Sequence, residues 1–433
     1  MSPPDVDDLE RHLSALTPAV SRTLFACLQG RELSVADAVS LCEVTGRDLH
    51  GLTAVADELR RRQCGDDVGY VINRNINFTN VCTMSCKFCA FSRTRRSEEG
   101  YYLDVDEIVR RTLEAQALGA TEVCLQAGLP PEAPPDLYES LLRALKQAAP
   151  AMHAHAFSPE EVKYGASLAG VSIGEHLQTL ADAGLDTLPG TSAEILDDDV
   201  RRRIAGGRIT TAEWLDVVQR AHRLGLRTTS TIMYGHLESH AERMQHLALL
   251  RSVQKETGGF TEFVPLSFVH SEAPLFMQEM AREVRPGPTG NDVIRMIALS
   301  RLMLGETIRN IQTSWVKEGL RQAQWLLSCG ANDLGGTLMN ESISTSAGAS
   351  HGQLMRPAEL RRAIRDAGRS PVQRDTRYGV LQRFSADGAD DPREPLDDVQ
   401  DVEARFGSYV QLTRAARERR APTAPAAPAA GRP

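Results

Sequence analysis

The sequence predicts an α/β protein, a (β/α)8 TIM-type barrel with an N-terminal helical extension and a small C-terminal helical cap. The main observation is that eight strand-like segments, each followed by a helical one, succeed one another over roughly 290 residues. A doubly wound sheet also alternates but usually has about five to seven strands. The second observation is that many strands end in polar or glycine-rich text: LQAG, HAFS, PGTSAE, MYGH, QTSW and NDLGG. Active sites of barrels lie at that end.

The first part of the chain, residues 1–66, predicts the helical extension. The segments LTPAVSRTLFACLQG and LSVADAVSLCEV carry apolar residues at helical spacing, and DLHGLTAVADELRRRQCG continues in the same way. Gly30 suits the end of a helix and Ser34 suits a helix cap.

The barrel is predicted over residues 67–352. Its eight strand segments, in chain order, are GYVINRNINFTN, TEVCLQAG, AMHAHAFS, LDTLPGT, RTTSTIMYG, FTEFVPLSFV, IRNIQTSWV and ANDLGGTL. The segments between them have the apolar periodicity of helices, as in VDEIVRRTLEAQALGA and SHAERMQHLALLRSVQKETG.

Two further parts complete the predicted organisation. Residues 353–415, which include MRPAELRRAIRDAGRSPVQRDTRYGVLQRF, predict a small helical cap on the barrel. Residues 416–433 end in APTAPAAPAAGRP, a proline- and alanine-rich text that cannot bury a core and predicts disorder.

Composition narrows the class of protein. The 433 residues are 42% hydrophobic and 24% charged, which is ordinary for a globular protein. The net charge of −8 argues against nucleic acid or an anionic membrane as the main partner. No apolar run approaches about 18 residues, and the acidic start MSPPDVDDLERHL lacks a signal region. The sequence therefore predicts a cytoplasmic protein that contacts neither nucleic acid nor membrane.

Three of the eight cysteines lie close together in NFTNVCTMSCKFCAFS, after the first strand. Cys82, Cys86 and Cys89 have the spacing C-x3-C-x2-C, and thiolates on such a loop bind zinc or an iron–sulfur cluster. A structural zinc site needs a fourth ligand, and no second cysteine pair or nearby histidine pattern supplies one. A 4Fe–4S cluster held by three cysteines leaves one iron open to a small molecule.

This loop resembles the signature of the radical S-adenosylmethionine (SAM) superfamily, including an aromatic residue, Phe88, before the last cysteine. The resemblance implies that Cys82, Cys86 and Cys89 hold one 4Fe–4S cluster whose open iron binds SAM. The radical is then generated on SAM rather than on a side chain, so no residue is predicted as catalytic.

Further contacts with SAM follow from the same resemblance. Gln126, Ala127 and Gly128 lie where the superfamily holds the SAM amino group, and Glu194 matches an acidic residue near SAM. Phe88 of the cysteine loop is also expected to contact the cofactor. Two alternatives stay open from the residues alone. Gly128 suits a turn at the end of a strand, and Glu194 suits the N-terminus of a helix.

The rest of the sequence resembles one subgroup of the superfamily. This subgroup contains the FO synthase subunits of coenzyme F(420) biosynthesis and two enzymes of the futalosine route to menaquinone. The segments TEFVPLSFVH, NIQTSWVK and GANDLGGTLM favour the FO synthase subunit 2 family. The resemblance implies that the 4-hydroxybenzyl group of L-tyrosine is joined to C5 of 5-amino-6-(D-ribitylamino)uracil, with release of 2-iminoacetate. The alternatives are aminofutalosine synthase and dehypoxanthine futalosine cyclase.

Partners follow from the same resemblance. The chain has a single C-x3-C-x2-C motif, so it is expected to perform one half of FO synthesis. A second radical SAM subunit and an electron donor would complete the reaction. The expected small-molecule substrates are L-tyrosine and the diaminouracil.

A ribityl chain and a uracil edge need several hydrogen-bond partners, because unpaired polar groups in a dry site are costly. The strand ends supply these candidates: His155, Ser158, Thr191, Gln312, Ser314, Asn332 and Asp333. Asp333 is the favoured one, since a carboxylate accepts from uracil N–H or amino groups. Ser267, Ser271 and Asn340 depart from the subgroup's expected proline, methionine and acidic residue.

Overall fold

A computed structural model describes residues 6–278, 283–389 and 391–420. Eight positions of parallel β-structure form a ring, with helices outside it. Six strands make one parallel sheet in chain order: β2 (Asn73–Ile76), β3 (Glu122–Leu125), β4 (His153–Ala156), β5 (Thr187–Leu188), β6 (Arg227–Tyr234) and β7 (Phe260–Ser267). The predicted barrel class is confirmed.

The ring continues beyond β7 through a much reduced seventh position. Ile311 forms a parallel bridge with Phe263, and Gln312 forms one with Asp333. Asp333 begins β8 (Asp333–Gly336), which pairs in parallel with β1 (Asp67–Val71). Because β1 and β2 are separated only by Ile72, this pairing joins the two edges of the sheet. The seventh predicted strand is therefore a two-residue bridge.

The helices follow the strands, as the periodicity predicts. Those of the barrel region are α5 (Val105–Ala117), α6 (Leu137–Ala148), α7 (Pro159–Ala169), α8 (Ile173–Asp182), α9 (Asp198–Ala205), α10 (Thr211–Arg223), α11 (His240–Thr257), α12 (Pro274–Met277), α13 (Gly290–Leu304), α14 (Trp315–Leu326) and α15 (Ile343–Ser346). Several begin with a reciprocal cap: the Ser158 side chain accepts from the backbone of Glu161 at the start of α7, and the Glu161 side chain accepts in return.

The N-terminal residues form four helices that share the core of the barrel. They are α1 (Val6–Ser14), α2 (Pro18–Leu28), α3 (Val35–Leu41) and α4 (Gly46–Cys64). Their buried side chains join one continuous apolar cluster with those of the barrel. Arg251 of α11 donates to the Leu33 carbonyl oxygen at 2.9 Å, which ties the extension to the barrel wall.

The prediction of a purely helical C-terminal cap was wrong. After α16 (Pro357–Asp366) the chain forms two strands, β9 (Ser370–Arg374) and β10 (Val380–Arg383). β9 pairs in parallel with β1, and β10 pairs antiparallel with β9. A 3-10 helix (Pro395–Asp398), α17 (Val402–Phe406) and α18 (Tyr409–Arg420) follow. The β9–β10 hairpin is thus an addition to the barrel sheet.

The boundary of the predicted tail was also placed too early. Residues 416–420 belong to α18, and the rest of the predicted tail, residues 421–433, lies outside the described residues. None of the described helices has the length and apolar composition that crossing a membrane requires.

Candidate active site

The three-cysteine loop lies at the C-terminal end of the barrel, between β2 and α5. Its backbone is held by three separate parts of the ring. The N–H of Thr83 donates to Leu129 O at 2.8 Å, and the N–H of Lys87 donates to Ile204 O at 2.9 Å. The N–H of Leu275 donates to Lys87 O at 2.6 Å. The loop is therefore anchored over the open end of the barrel, where active sites of this fold occur.

The thiols of this loop suit an iron–sulfur cluster better than a single ion. Cys82, Cys86 and Cys89 are free and half-buried. Within the described ranges, no group of three histidine, cysteine or acidic side chains is close enough together to hold one metal ion. A 4Fe–4S cluster spreads its thiolates over different iron atoms, so it needs wider spacing. A cavity of about 340 Å³ borders Cys86 and Cys89. The three-thiolate donor set fits the cluster, and the cavity leaves space beside two of the three thiols.

Burial raises the pKa of Cys86 to about 12, and it also raises the pKa of Cys89. Backbone N–H groups of Ser92 and Phe91 act in the opposite direction on Cys89. Without metal, Cys86 is therefore a neutral thiol at neutral pH. Coordination to iron removes the proton of such a thiol outright, so binding of the cluster would release protons.

Phe88 and Glu194, both predicted to contact SAM, meet at an arginine that the sequence analysis missed. The Arg208 guanidinium lies 5.6 Å from the centre of the Phe88 ring and 2.9 Å from Glu194 Oε1. It also pairs with buried Glu160 at 3.0 Å. Arg208 therefore connects the cysteine loop with the first turn of α7 and with the loop after β5.

The loop that carries Glu194 is held from below by a second arginine. Ser192 and Glu194 have positive φ angles of 67° and 42°. The buried guanidinium of Arg201 donates to the carbonyl oxygens of Ser192, Ala193 and Ile195. Arg201 is thus occupied by the backbone, and Glu194 lies on a strained loop that these bonds fix.

The predicted residues of the LQAG strand end are held by hydrogen bonds at Gln126 and Ala127 and by close packing at Gly128. Gln126 Nε2 donates to Thr191 Oγ1 at 2.8 Å, which joins two predicted residues. The Ala127 N–H donates to Glu161 Oε1 at 3.0 Å. A Cβ on Gly128 would lie 2.4 Å from Val81 O, so a side chain there would displace the start of the cysteine loop. Gly128 is required by packing against that loop.

Ser158 and Glu161 act together beneath Ala127. One oxygen of Glu161 accepts from the Ser158 N–H and hydroxyl, both at 2.7 Å, while the other accepts from Ala127. Burial raises the pKa of Glu161 to about 7, although these hydrogen bonds oppose the rise. The predicted residue Ser158 is therefore a helix cap that positions the LQAG segment.

Of the remaining predicted substrate residues, Gln312 and Ser314 lie at the seventh position of the ring. Their side chains form no hydrogen bond with any described residue, so both can still bind a ligand. The half-buried Gln312 amide lies against Gly335, whose φ is 75°. A Cβ on Gly335 would approach Gln312 Nε2 to 2.6 Å, so glycine keeps room for the amide.

Asp333 and Asn332 do not face the open end, and their prediction as substrate ligands was wrong. Asp333 begins β8 and is fully buried, and both of its oxygens accept from Arg374, at 2.5 and 2.9 Å. Asn332 Oδ1 accepts from Arg301 at 2.7 Å and from the Ile311 N–H at 2.8 Å. Residues at the start of a strand lie at the opposite end of the barrel from its site.

The side chain of His155 is also hydrogen-bonded inside the barrel. Its Nδ1 is 2.7 Å from the Thr187 hydroxyl oxygen, and His153 Nε2 is 2.8 Å from the same atom. Burial lowers the pKa of His155 to about 4, so its ring is neutral at neutral pH. This arrangement makes His155 a structural residue of the barrel.

The residues that depart from the expected pattern are hydrogen-bonded or packed. Ser267 donates to Glu318, and its hydroxyl lies 3.2 Å from the Tyr234 hydroxyl. Asn340 donates to Phe406 O at 2.9 Å, and Ser271 lies against Gly348. Ser267 is the one of these three at the end of a barrel strand.

Two further polar side chains near the open end were missed. Asn75 follows Asn73 on the same face of β2, and Asn73 donates inward to Glu122 at 2.8 Å. The half-buried Asn75 amide forms no hydrogen bond within the part of the chain that the structure describes. Lys317, in the first turn of α14, is the second. The alternation of NRNIN was a usable signal for Asn75, whereas no local pattern marks Lys317.

Comparison with known proteins identifies the family. Residues 76–250 match the Radical SAM superfamily, and residues 257–386 match the CofH/MqnC C-terminal region. The chain is 49% identical over 346 residues to 5-amino-6-(D-ribitylamino)uracil–L-tyrosine 4-hydroxyphenyl transferase of Methanothermobacter thermautotrophicus. That match covers 80% of this chain and 94% of the relative. A protein of the same name from Methanococcoides burtonii is 48% identical, with coverage of 80% and 95%.

A longer relative and two solved structures extend the comparison. FO synthase of Mycobacterium tuberculosis is 48% identical over 369 residues, and this match spans 85% of the chain but 42% of that protein. Methylornithine synthase matches at a TM-score of 0.63 and 18% identity, covering 81% of this chain and 97% of the other. The maturase HydG from Carboxydothermus hydrogenoformans matches at 0.64 and 16%, covering 86% and 83%. These two structures support the fold alone.

The match to the superfamily agrees with the cysteine loop and its position in the barrel. Its members use a 4Fe–4S cluster and SAM, and these are the cofactors of this enzyme. The chain belongs to the radical SAM superfamily and, within it, to the family of the 5-amino-6-(D-ribitylamino)uracil–L-tyrosine 4-hydroxyphenyl transferases.

Proposed function

We propose that the enzyme joins the 4-hydroxybenzyl group of L-tyrosine to C5 of 5-amino-6-(D-ribitylamino)uracil and releases 2-iminoacetate. The observation that carries this proposal is 49% identity to a relative named for this transfer, over 94% of that relative's length. The product would enter deazaflavin (FO, coenzyme F(420)) biosynthesis.

Cys82, Cys86 and Cys89 would hold the cluster, which together with SAM supplies a 5′-deoxyadenosyl radical when both are bound. Gln126, Ala127 and Gly128 would form the wall beside SAM. Glu161 keeps that wall in place through its bond with the Ala127 N–H. Arg208 neutralises Glu194 and Glu160, so that the buried carboxylates near the cysteine loop are compensated.

The amides of Gln312 and Asn75 would bind the diaminouracil. Each amide offers both a donor and an acceptor, and a uracil edge presents the complementary groups. Both side chains are half-buried and lack internal partners among the described residues. The hydroxyl of Ser314, two residues after Gln312, is a further candidate for the ribityl chain.

We further propose an electron donor and a second radical SAM subunit as functional partners. One three-cysteine loop supports one such centre, and FO formation requires closure of the deazaflavin ring after the transfer. We place the reaction in the cytoplasm, because all eight cysteines are free thiols and disulfides are rare in that compartment.

The test supplies the anaerobically reconstituted, reduced protein with SAM, L-tyrosine and the diaminouracil. We expect a 4-hydroxybenzyl adduct of the diaminouracil, together with 2-iminoacetate or the glyoxylate formed by its hydrolysis. Mass spectrometry of the adduct and measurement of 5′-deoxyadenosine give the two readouts. Formation of 5′-deoxyadenosine without the adduct would reject the transfer, and turnover of futalosine-pathway substrates instead would assign the alternative branch.

A further inference from the structure

Lys317 is a cation near the open end of the barrel that has no partner among the described residues. It lies in the first turn of α14, directly after the seventh position of the ring. Its side chain is half-buried, and within residues 6–278, 283–389 and 391–420 it forms neither a hydrogen bond nor an ion pair. A partly buried ammonium group usually has a partner, because loss of hydration is costly. An unpartnered one therefore points to a ligand.

The residues on either side of Lys317 fix the backbone that carries it. Trp315 is buried, and its indole N–H donates to Gly336 O at 2.8 Å. Glu318 accepts from Ser267 at the end of β7. Gly319 then leaves helical geometry with a φ of 73°. This first turn is anchored to both neighbouring strands, so Lys317 is presented from a rigid support.

The charged groups that face Lys317 come from several parts of the open end. They are the carboxylates of Glu341, Glu318 and Glu194; the ionisable thiol of Cys89 is also near. Each carboxylate already has a nearer partner: Glu341 accepts from the Ser344 N–H, Glu318 from Ser267, and Glu194 from Arg208. Lys317 thus faces acidic groups that it does not contact. A molecule with a carboxylate and an ammonium group matches such a pair of opposite charges.

We infer that Lys317 binds the carboxylate of the amino-acid substrate, and that Glu341 or Glu318 lies near the ammonium group of that substrate. This inference rests on the proposed function, since it takes L-tyrosine as that substrate. The proposed SAM contacts lie after the second and fourth strands of the ring, whereas Lys317 follows the seventh. Lys317 therefore reaches the same open end from a different part of the ring, where it can hold a second amino acid beside SAM.

The test compares Lys317→Met, Lys317→Gln and Lys317→Arg with the reconstituted wild-type enzyme. Lys255→Met is the matched control, because Lys255 is an exposed lysine that pairs with Glu32 on the outside of the molecule. Dissociation constants are measured anaerobically by calorimetry for L-tyrosine, for tyramine and for SAM. Tyramine lacks the carboxylate and retains the phenol and the amine. Iron content and thermal unfolding of every variant are measured first.

We expect the neutral variants to weaken L-tyrosine binding by about 10- to 100-fold, which is typical of a lost charge-assisted hydrogen bond. Tyramine and SAM binding should change by less than about threefold. The preference of the wild type for tyrosine over tyramine should disappear in both neutral variants and remain in Lys317→Arg and Lys255→Met.

Equal weakening of tyrosine and tyramine, or a selective loss of SAM affinity, would overturn the inference. So would unchanged tyrosine affinity in neutral variants that retain their iron. Failure of the proposed function has a different signature, because the wild type would then bind no tyrosine or form no adduct. Should Lys317→Met not fold, Lys317→Gln and the ratio of tyrosine to tyramine affinity in Lys317→Arg decide the question.

Discussion

The two ends of the barrel differ in how their polar side chains are paired. At the end formed by the strand starts, three buried carboxylates meet side chains from the end of β9 and from the turn that joins it to β10. Arg374 binds Asp333 at 2.5 Å, Thr376 donates to Glu122 at 2.6 Å, and Tyr378 donates to Glu262 at 2.5 Å. At the open end, Gln312, Asn75 and Lys317 lack internal partners among the described residues. The three carboxylates of one end have partners within the chain, and the other end has polar groups available for ligands.

This difference separates the residues that stabilise the barrel from those that are available for binding and chemistry. A buried carboxylate with its cation contributes to the fold, and removing the cation is costly. A half-buried amide or ammonium group without a partner contributes little to the fold and is free to bind. Substitutions at the closed end should therefore lower the free energy of unfolding, and substitutions at the open end should lower cofactor or substrate binding.

The largest effect is expected for Cys86→Ala, at the open end. Loss of one of three thiolates should reduce bound iron to background and abolish 5′-deoxyadenosine formation. The metal-free protein should keep its free energy of unfolding within about 1 kcal/mol, since no buried pair is broken. Iron analysis and urea unfolding measure the two quantities. Retention of a full cluster in this variant would show that the ligand set is wrong.

The next largest effect is expected for Arg374→Met, at the closed end. Asp333 and Glu262 would remain buried without their cation, at a cost of about 3–5 kcal/mol of unfolding free energy. Urea unfolding of the metal-free proteins measures this cost. The matched control is Arg383→Met in β10, whose exposed pair with Asp67 should contribute less than about 1 kcal/mol. An equal loss in both variants would contradict the assignment of the closed end.

Low pH should destabilise the fold through His246, which accepts from the backbone of the loop after β5. Burial lowers the pKa of His246 to about 3. Its Nδ1 accepts from the Leu196 N–H, so a proton on Nδ1 would break this bond. The unfolded chain takes up this proton near pH 6.5, so stability is full above that pH and falls as the pH drops towards 3. Between pH 6.5 and 5 the loss should be about 2 kcal/mol.

His246→Gln gives the control for this pH dependence. A glutamine can accept from Leu196 and donate to Thr231, but it does not titrate between pH 3 and 6.5. Urea unfolding at several pH values should therefore give a shallower slope for this variant. An unchanged slope would mean that other groups carry the acid sensitivity.

The smallest effect is expected for Glu161→Gln. The change keeps the shape of the side chain but replaces one acceptor oxygen by an NH2 group, facing either Ala127 or Ser158. We expect a loss of about 1–2 kcal/mol in SAM binding, or roughly tenfold, with iron content unchanged. Calorimetry with SAM measures it, and Glu242→Gln, in the equivalent exposed cap of α11, is the control. A loss in both variants would indicate a general effect of weakened caps.

The alternation of strands and helices made the barrel predictable, because each unit carries its own periodicity. The cysteine loop was also visible, since its three residues are close in sequence. The seventh strand was overestimated for a local reason. Asn332 Oδ1 accepts from the Ile311 N–H, and Asn310 donates to Thr261 O, so side chains replace part of the ladder there.

The closed end could not be predicted, because its bonds join residues far apart in sequence. In RSPVQRDTRYGV, Arg374, Thr376 and Tyr378 look like an exposed polar stretch, and their carboxylate partners lie 41 to 254 residues away. Asp333 was assigned to substrate for the same reason. Its residue type suited a uracil, and only the fold shows that it starts its strand. The position of a residue along its strand was the missing information.

The β9–β10 hairpin, which crosses the closed end of the barrel, affects how substrates enter and products leave. Its side chains bond to β3, β7 and β8, which lie on different sides of the ring. Substrates and products therefore enter and leave through the opposite, open end. In a chamber with one opening, the substrate that enters last lies nearest to that opening. Steady-state inhibition patterns should therefore be those of an ordered mechanism, with the outermost product competing against the last substrate to enter.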